Sequence, residues 1–259
     1  MNTNLIALRR KERYESLNLE IQKELDNFYD TKAATHQLKV IKKSRSIPKV
    51  GDVFLVSPRE GIYFYGKVLV SNIVRKVRDS FVEGKHVVFI FKGNTHEKNI
   101  DKYMPDYSNL LIPPAIVGDE YWKKGYFHTI ANIPLTEEEK KLDFGFYKLH
   151  FKGNFFCKET GELLDKEPKI LGMHGITTIS GIGLGIEREL IINPSLLEEN
   201  TRTSQSLTVA GVPRNQWHVP DNTGSSLHEK LLDEQLLRNK LNSEGISTVR
   251  RSGGTNNGK

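Results

Sequence analysis

From Val50 to Val70 the sequence VGDVFLVSPREGIYFYGKVLV alternates with period two on either side of a break at Pro58–Gly61. Successive side chains on a strand point to opposite faces, so this pattern specifies an antiparallel hairpin. Val53 and Leu55 share a face of the first strand, and Tyr63, Tyr65, Lys67 and Leu69 share a face of the second. Pro58 to Gly61 supplies the turn chemistry. The same texture continues downstream. KHVVFIFKG is a short apolar run of the kind that forms a buried strand. SNLLIPPAIVGD is extended, because Pro113 and Pro114 exclude helix. Lys123-Lys124-Gly125 makes a turn, and Tyr126 to Ile130 a strand. DFGFYKLHF is aromatic-rich, as strands prefer. FFC and ELLD form the two edges of a hairpin, and ILGMHGITTISGIGLGIERELII is expected to give at least two strands separated by glycine-rich bends. SNIVRKVRDSF stays ambiguous, and Asn94 to Met104 reads as polar loop or short helix. The expected fold is α+β, mainly β: an SH3-like, small β-barrel-type antiparallel sheet domain over 47–194, with N- and C-terminal helical extensions.

The flanks differ from this domain. Residues 1–46 read as a basic helical arm, with Leu17, Ile21, Leu25 and Phe28 on one face at helical spacing. A weaker helical segment, AATHQLKVIKKSRS, ends in Lys42, Lys43 and Arg45 before Ile47-Pro48. Those basic residues suit a helix C-terminus followed by a solvated linker, or the binding of an acidic partner. Thr136 with Glu139 fits a capping box, so a helical turn begins there. Ser195 with Glu198 could cap a short helix within a 195–225 linker. Residues 226–259 comprise an amphipathic helix, opened by Ser226 and Glu229 and striped by leucines, and a tail disordered by composition. Self-association through 226–241 is one use for that stripe.

Composition narrows the setting. A single cysteine, Cys157, rules out a disulfide framework within the chain. The first residues lack the apolar stretch of a signal peptide, and no run of about 18 apolar residues occurs. A cytoplasmic protein without a membrane span is expected. The net charge is +6, but its distribution is uneven. Residues 1–46 hold 10 Lys+Arg against 6 Asp+Glu, whereas 47–194 hold 20 against 19. The basic excess therefore belongs to the arm, and a near-neutral domain is a poor match for phosphate binding.

No catalytic constellation emerges. Gly181-Ile-Gly183-Leu-Gly185 has the spacing G-x-G-x-G rather than that of a dinucleotide loop, and reads as a strand bend or bulge. Cys157 follows two phenylalanines and reads as a buried, inert thiol, not as a nucleophile served by His150 or His174. The eight histidines are scattered without metal-ligand spacing, so neither a metal nor a cofactor is expected. Glu137, Glu138 and Glu139 sit where a helix dipole favours them. The aromatic residues leave two readings open, core filling or a patch for a partner. The candidate binding residues are Tyr63, Tyr65, Tyr121, Trp122, Tyr126 and Phe127. Period two forbids Tyr63, Phe64 and Tyr65 from sharing one face.

Particular segments carry a family resemblance. Pro48-Lys-Val-Gly-Asp-Val-Phe-Leu-Val, Tyr63-Phe-Tyr-Gly-Lys-Val-Leu, His86-Val-Val-Phe-Ile-Phe and Lys124-Gly-Tyr-Phe-His-Thr-Ile-Ala-Asn-Ile-Pro-Leu together resemble the immunity protein 26 family of bacterial polymorphic toxin systems. Phe127 stands where a tryptophan is commoner in that family. The resemblance covers roughly 47 to 193. It implies neutralisation of a cognate protein toxin by direct binding, and it supplies no catalytic residues. A non-nuclease toxin, or a site away from a nuclease's phosphate pocket, fits the near-neutral domain. The alternative is a nucleic-acid-associated small-barrel protein, with the basic arm 1–46 on phosphates and aromatics stacking bases.

Overall fold

The computed structural model describes residues 4–32, 38–77, 81–149 and 153–198. At its centre is the expected hairpin, β1 (Asp52–Arg59) and β2 (Ile62–Val70). They pair antiparallel, with Val53 opposite Lys67 and Leu55 opposite Tyr65. β3 (His86–Thr95) and β4 (Leu110–Val117) extend the meander beyond β2, and β5 (Phe127–Asn132) returns to the free side of β1. The order is β4-β3-β2-β1-β5, antiparallel throughout.

Period-two alternation divides these strands between two cores. Phe54, Val56, Phe64, Val68, Val88 and Ile90 face one side, against Ile179, Ile182, Ile186 and Leu190 of α5 (Ile179–Ile192). Val53, Leu55, Tyr63, Tyr65, Val87 and Phe89 face the other, against Phe146, Cys157 and Ile170. Those three come from a second sheet of β6 (Phe144–Lys148), β7 (Phe155–Cys157) and β8 (Ile170–Met173), ordered β7-β6-β8. β6 pairs antiparallel with β7 and parallel with β8. The Tyr63–Phe64–Tyr65 conflict is resolved by burying both faces.

This layering corrects the expectation of a barrel. β4 and β5 end the strand order and do not pair with each other among the described residues. A sheet can bury an apolar face by curling onto itself or by packing against another layer. Here α5 and the second sheet cover the two faces, so the sheet stays open.

The glycine-rich stretch needs a second correction. Only β8 is a strand; Ile179–Ile192, with Gly181, Gly183 and Gly185, is helix. Glycine costs a helix about 1 kcal/mol relative to alanine, which favours a non-helical reading of three at alternate positions. The overriding signal is the spacing of Ile179, Ile182, Ile186 and Leu190, which buries one stripe against the sheet. Thr178 caps the start, its hydroxyl oxygen accepting from the Gly181 N–H at 3.0 Å.

The N-terminal arm holds two helices, α1 (Leu5–Ser16) and α2 (Leu19–Lys32). Asn4 caps the first, and the Asn18 side chain accepts from the Ile21 N–H at 2.8 Å at the start of the second. Leu25 and Phe28 of the expected stripe are buried, while Leu17 lies at the break between the helices. Arg13 forms a bidentate pair with Glu189 of α5, both contacts at 2.8 Å.

Residues 38–46 of the second expected helical segment are not helical. Their N–H groups bond elsewhere, with Lys39 donating to the Ser57 carbonyl at 2.8 Å and Ser44 to that of Trp122 at 2.9 Å. Of two shorter helices, the first was not anticipated and the second was. α3 (Glu120–Lys123) lies between β4 and β5, and α4 (Glu137–Lys140) opens with the Thr136/Glu139 capping box. Cys157 and Leu163 form a single bridge where a fuller hairpin was expected. The described residues end in a 3-10 turn, Pro194–Leu197, whose Leu196 carbonyl accepts from Asn94 at 2.6 Å. The linker beyond residue 198, the helix over 226–241 and the tail lie outside the described residues. Among the described residues no helix is long and apolar enough to cross a membrane.

Candidate binding surface

The segment after α3 organises one edge of the main sheet. Gly125 ends the helix with φ +86°, a conformation that disfavours a side chain. Its carbonyl accepts the N–H of Ile41 at 2.7 Å and of Lys42 at 3.3 Å. A Cβ at Gly125 would lie 2.9 Å from the Lys42 carbonyl carbon and the Lys43 nitrogen. Glycine is therefore required twice, once by its own backbone and once by the strand-like segment packed on it. Leu38 anchors that segment in one core, and Ile41 packs against the other.

Between this segment and the β1–β5 edge lies an open cleft of about 320 Å³, with Lys42, Lys43, Ser44, Asp52, His128 and Thr129 among its walls. Lys42 and Lys43 are exposed and ion-pair with no carboxylate among the described residues. Asp52, the carboxylate in the wall, already accepts from Asn132 at 2.7 Å and from the Lys49 N–H at 3.0 Å. Burial pulls the His128 imidazole below its ordinary pKa, and Lys42 and Lys98 push it the same way.

Of the sequence candidates, Tyr63, Tyr65, Tyr121, Trp122 and Phe127 are buried, and Tyr126 is half-buried. Phe127 stacks on Phe54 with ring centroids 4.4 Å apart, and Trp122 meets Phe127 edge-on at 5.2 Å. The polar ends of these rings are also engaged. Trp122 Nε1 donates to Thr129 Oγ1 at 3.0 Å, Tyr121 to the Thr177 carbonyl at 2.9 Å and Tyr65 to the Asn99 carbonyl at 3.1 Å. Tyr121, Trp122 and Phe127 thus form a rigid base beneath Gly125 and the cleft. Rings with almost no open surface cannot touch a partner while this fold is kept. Tyr126 alone of the six retains substantial open surface, and Tyr63 lies at a rim where Lys98 Nζ sits 5.4 Å from its ring centroid.

Two polar clusters, one buried and one partly buried, resemble chemical machinery. Lys67 Nζ donates to both Glu139 oxygens at 2.8 Å, Tyr107 donates to the same carboxylate at 2.6 Å, and the Thr136 N–H adds a bond at 2.8 Å. Burial raises the Glu139 pKa, but the bonds from Lys67, Tyr107 and Thr136 prevail and hold it below the ordinary value. Burial, then the bond to Glu139, pushes the Tyr107 phenol far above its ordinary range. Every member is satisfied, as a buried ionic network must be. Its role is to fasten α4 to β2.

The second cluster places Ser71, His86 and Asp119 in a row. His86 Nε2 lies 2.8 Å from Asp119 Oδ1, and Nδ1 lies 3.2 Å from Ser71 Oγ. The protons, however, run the wrong way for nucleophilic catalysis. The Asn72 N–H points at Nδ1 at 3.3 Å, so Nδ1 accepts and Nε2 carries the hydrogen given to Asp119. Ser71 donates its single proton to the Pro48 carbonyl at 2.6 Å. The base therefore takes nothing from the hydroxyl, and the row serves to join β3, α3 and the loop after β2. Burial raises the Asp119 pKa, yet the bonds from His86 and Lys123 hold it below the ordinary carboxylate value. The Cys157 thiol is buried in β7, and His150 lies outside the described residues.

Sequence reading identified the Lys42–Arg45 cluster and the Thr136/Glu139 cap. It missed the meeting of the first with His128 and of the second with Lys67. Neither pair has a sequence signal, because the partners are brought together by β5 returning to β1 and by Glu139 of α4 reaching Lys67 of β2.

No curated protein and no solved structure matches this chain. Residues 49–157, which run from the start of the hairpin through β7 and include the Gly125 motif, match the family model of Immunity protein 26, the family whose resemblance the sequence carries.

Proposed function

We infer that this protein is an immunity protein that binds a cognate bacterial toxin and neutralises it by direct contact, without chemistry of its own. The observation that carries this reading is the match of residues 49–157 to Immunity protein 26. The rigid, fully packed aromatic base supports it, since a preorganised surface loses little freedom on binding. The near balance of charge over 47–194 favours a protein surface over nucleic acid as the partner. The test is co-expression with the toxin encoded by the neighbouring gene. Growth restored by this chain, with the two proteins co-purifying, is the expected result. Continued growth arrest with both proteins present at comparable levels would sink the reading.

A further inference from the structure

We propose that the basic cleft between residues 38–46 and the β1–β5 edge receives an acidic segment of the partner protein, its Asp or Glu side chains reaching Lys42 and Lys43. The inference rests on the immunity reading and adds to it a place on the molecule and a chemistry for the partner.

Charge complementarity carries the argument. A cleft with an excess of one sign of charge attracts the opposite sign, and here two lysines outnumber the single carboxylate in the walls, Asp52. Lys42 and Lys43 are exposed there with no carboxylate partner among the described residues, in a wall shared with His128. The carboxylate of Asp52 is occupied by Asn132 and the Lys49 N–H, so it cannot also turn to the lysines without losing those bonds. Elsewhere in the leading arm three basic side chains are paired internally: Arg13 with Glu189, Arg9 with Glu167 and Lys11 with Glu15. Lys39, Lys42, Lys43 and Arg45 fall together in the segment that leads into the matched family region.

The backbone around the cleft is also fixed. Ile41 and Lys42 are held on Gly125, Ser44 is held on the Trp122 carbonyl, and both contacts stand on the buried aromatic base. Two lysines on a fixed backbone lose less freedom on binding than the same residues on a loose linker. Ser44 and Thr129 in the same walls add hydroxyl groups suited to a carboxylate or to main-chain groups beside it.

The experiment measures affinity for the neighbouring gene's toxin, by calorimetry, with the full chain. Its arms are the wild type, Lys42→Glu/Lys43→Glu, and a control reversal at the exposed Lys166 and Lys169 of the loop before β8, Lys166→Glu/Lys169→Glu. The cleft reversal is expected to weaken binding by about tenfold or more, and the control to leave it within about twofold. Wild-type affinity is expected to fall as salt rises. Thermal midpoints keep folding in view, and Lys42→Ala/Lys43→Ala, which adds no repulsion, is expected to fall between wild type and reversal. Toxin binding by the wild type with equal affinity in the cleft reversal overturns the cleft assignment and leaves the immunity reading standing. No binding by the wild type overturns both. A single-stranded oligonucleotide that binds the wild type, loses binding on cleft reversal, and does so while toxin affinity is unchanged would assign the cleft to nucleic acid and overturn the proposal.

Discussion

Gly125→Ala isolates how the segment 38–46 is tied to the turn after α3. Two costs apply at this position. The first is conformational, since φ is +86° and a Cβ in the left-handed region costs about 1–2 kcal/mol. The second is contact: the new methyl would stand 2.9 Å from the Lys42 carbonyl carbon and the Lys43 nitrogen, which are backbone atoms that cannot rotate away. The segment must lift, and the bonds from Ile41 and Lys42 to the Gly125 carbonyl weaken or break, at about 1 kcal/mol each. The expected loss is about 2–4 kcal/mol. Gly61→Ala is the comparison, because it also has a positive φ, +78°, but open space around its Cβ. It should show only the conformational cost of about 1–2 kcal/mol. Urea unfolding gives both values, and hydrogen exchange at the Ile41, Lys42 and Ser44 amides reports the segment directly. Equal losses at the two glycines, with unchanged protection at those amides, would refute the close-approach argument.

Lys67→Met should cost about 3–5 kcal/mol by urea unfolding, because it strands the buried Glu139 carboxylate, and adding Glu139→Leu should recover part of that loss. The same carboxylate sets a pH dependence. Its folded pKa is depressed, so its contribution is present above the unfolded value of about 4.3 and is lost as pH falls through the folded value. Between neutral pH and pH 3 the urea midpoint of the wild type should therefore fall further than that of the double variant, and parallel curves would contradict this. Ser71→Ala should lower stability by about 1 kcal/mol through loss of the bond to Pro48 and leave toxin neutralisation intact. Loss of neutralisation at full stability would return Ser71 to the functional residues.

Strands were legible wherever local pattern and burial agreed. The hairpin, the buried run of β3, the proline-stiffened β4 and the cap at Thr136 were each specified by a few neighbouring residues. The failures came where a distant layer decided. Gly181, Gly183 and Gly185 argue locally against helix, yet the sheet beneath them rewards a helical stripe. Residues 38–46 have the composition of a helix end, yet the Gly125 carbonyl and the exposed edge beside it offer their N–H groups better-placed partners. The aromatics were legible as a group but not by role. Period two assigns faces, and only the covering layers determine which faces are dry.

The sequence by itself determined the hairpin and its alternating faces, the mainly β character of the central region and the likeness to Immunity protein 26, because these depend on residues close together along the chain. The tertiary structure decided that the sheet stays open between two covering layers and that Tyr121, Trp122 and Phe127 support the surface from beneath. It also decided that Lys42 and Lys43 meet His128 across a cleft, which no local pattern encodes. The physical reason is common to all three. Burial and charge are properties of what lies opposite a side chain, and here the opposite residue is tens of positions away.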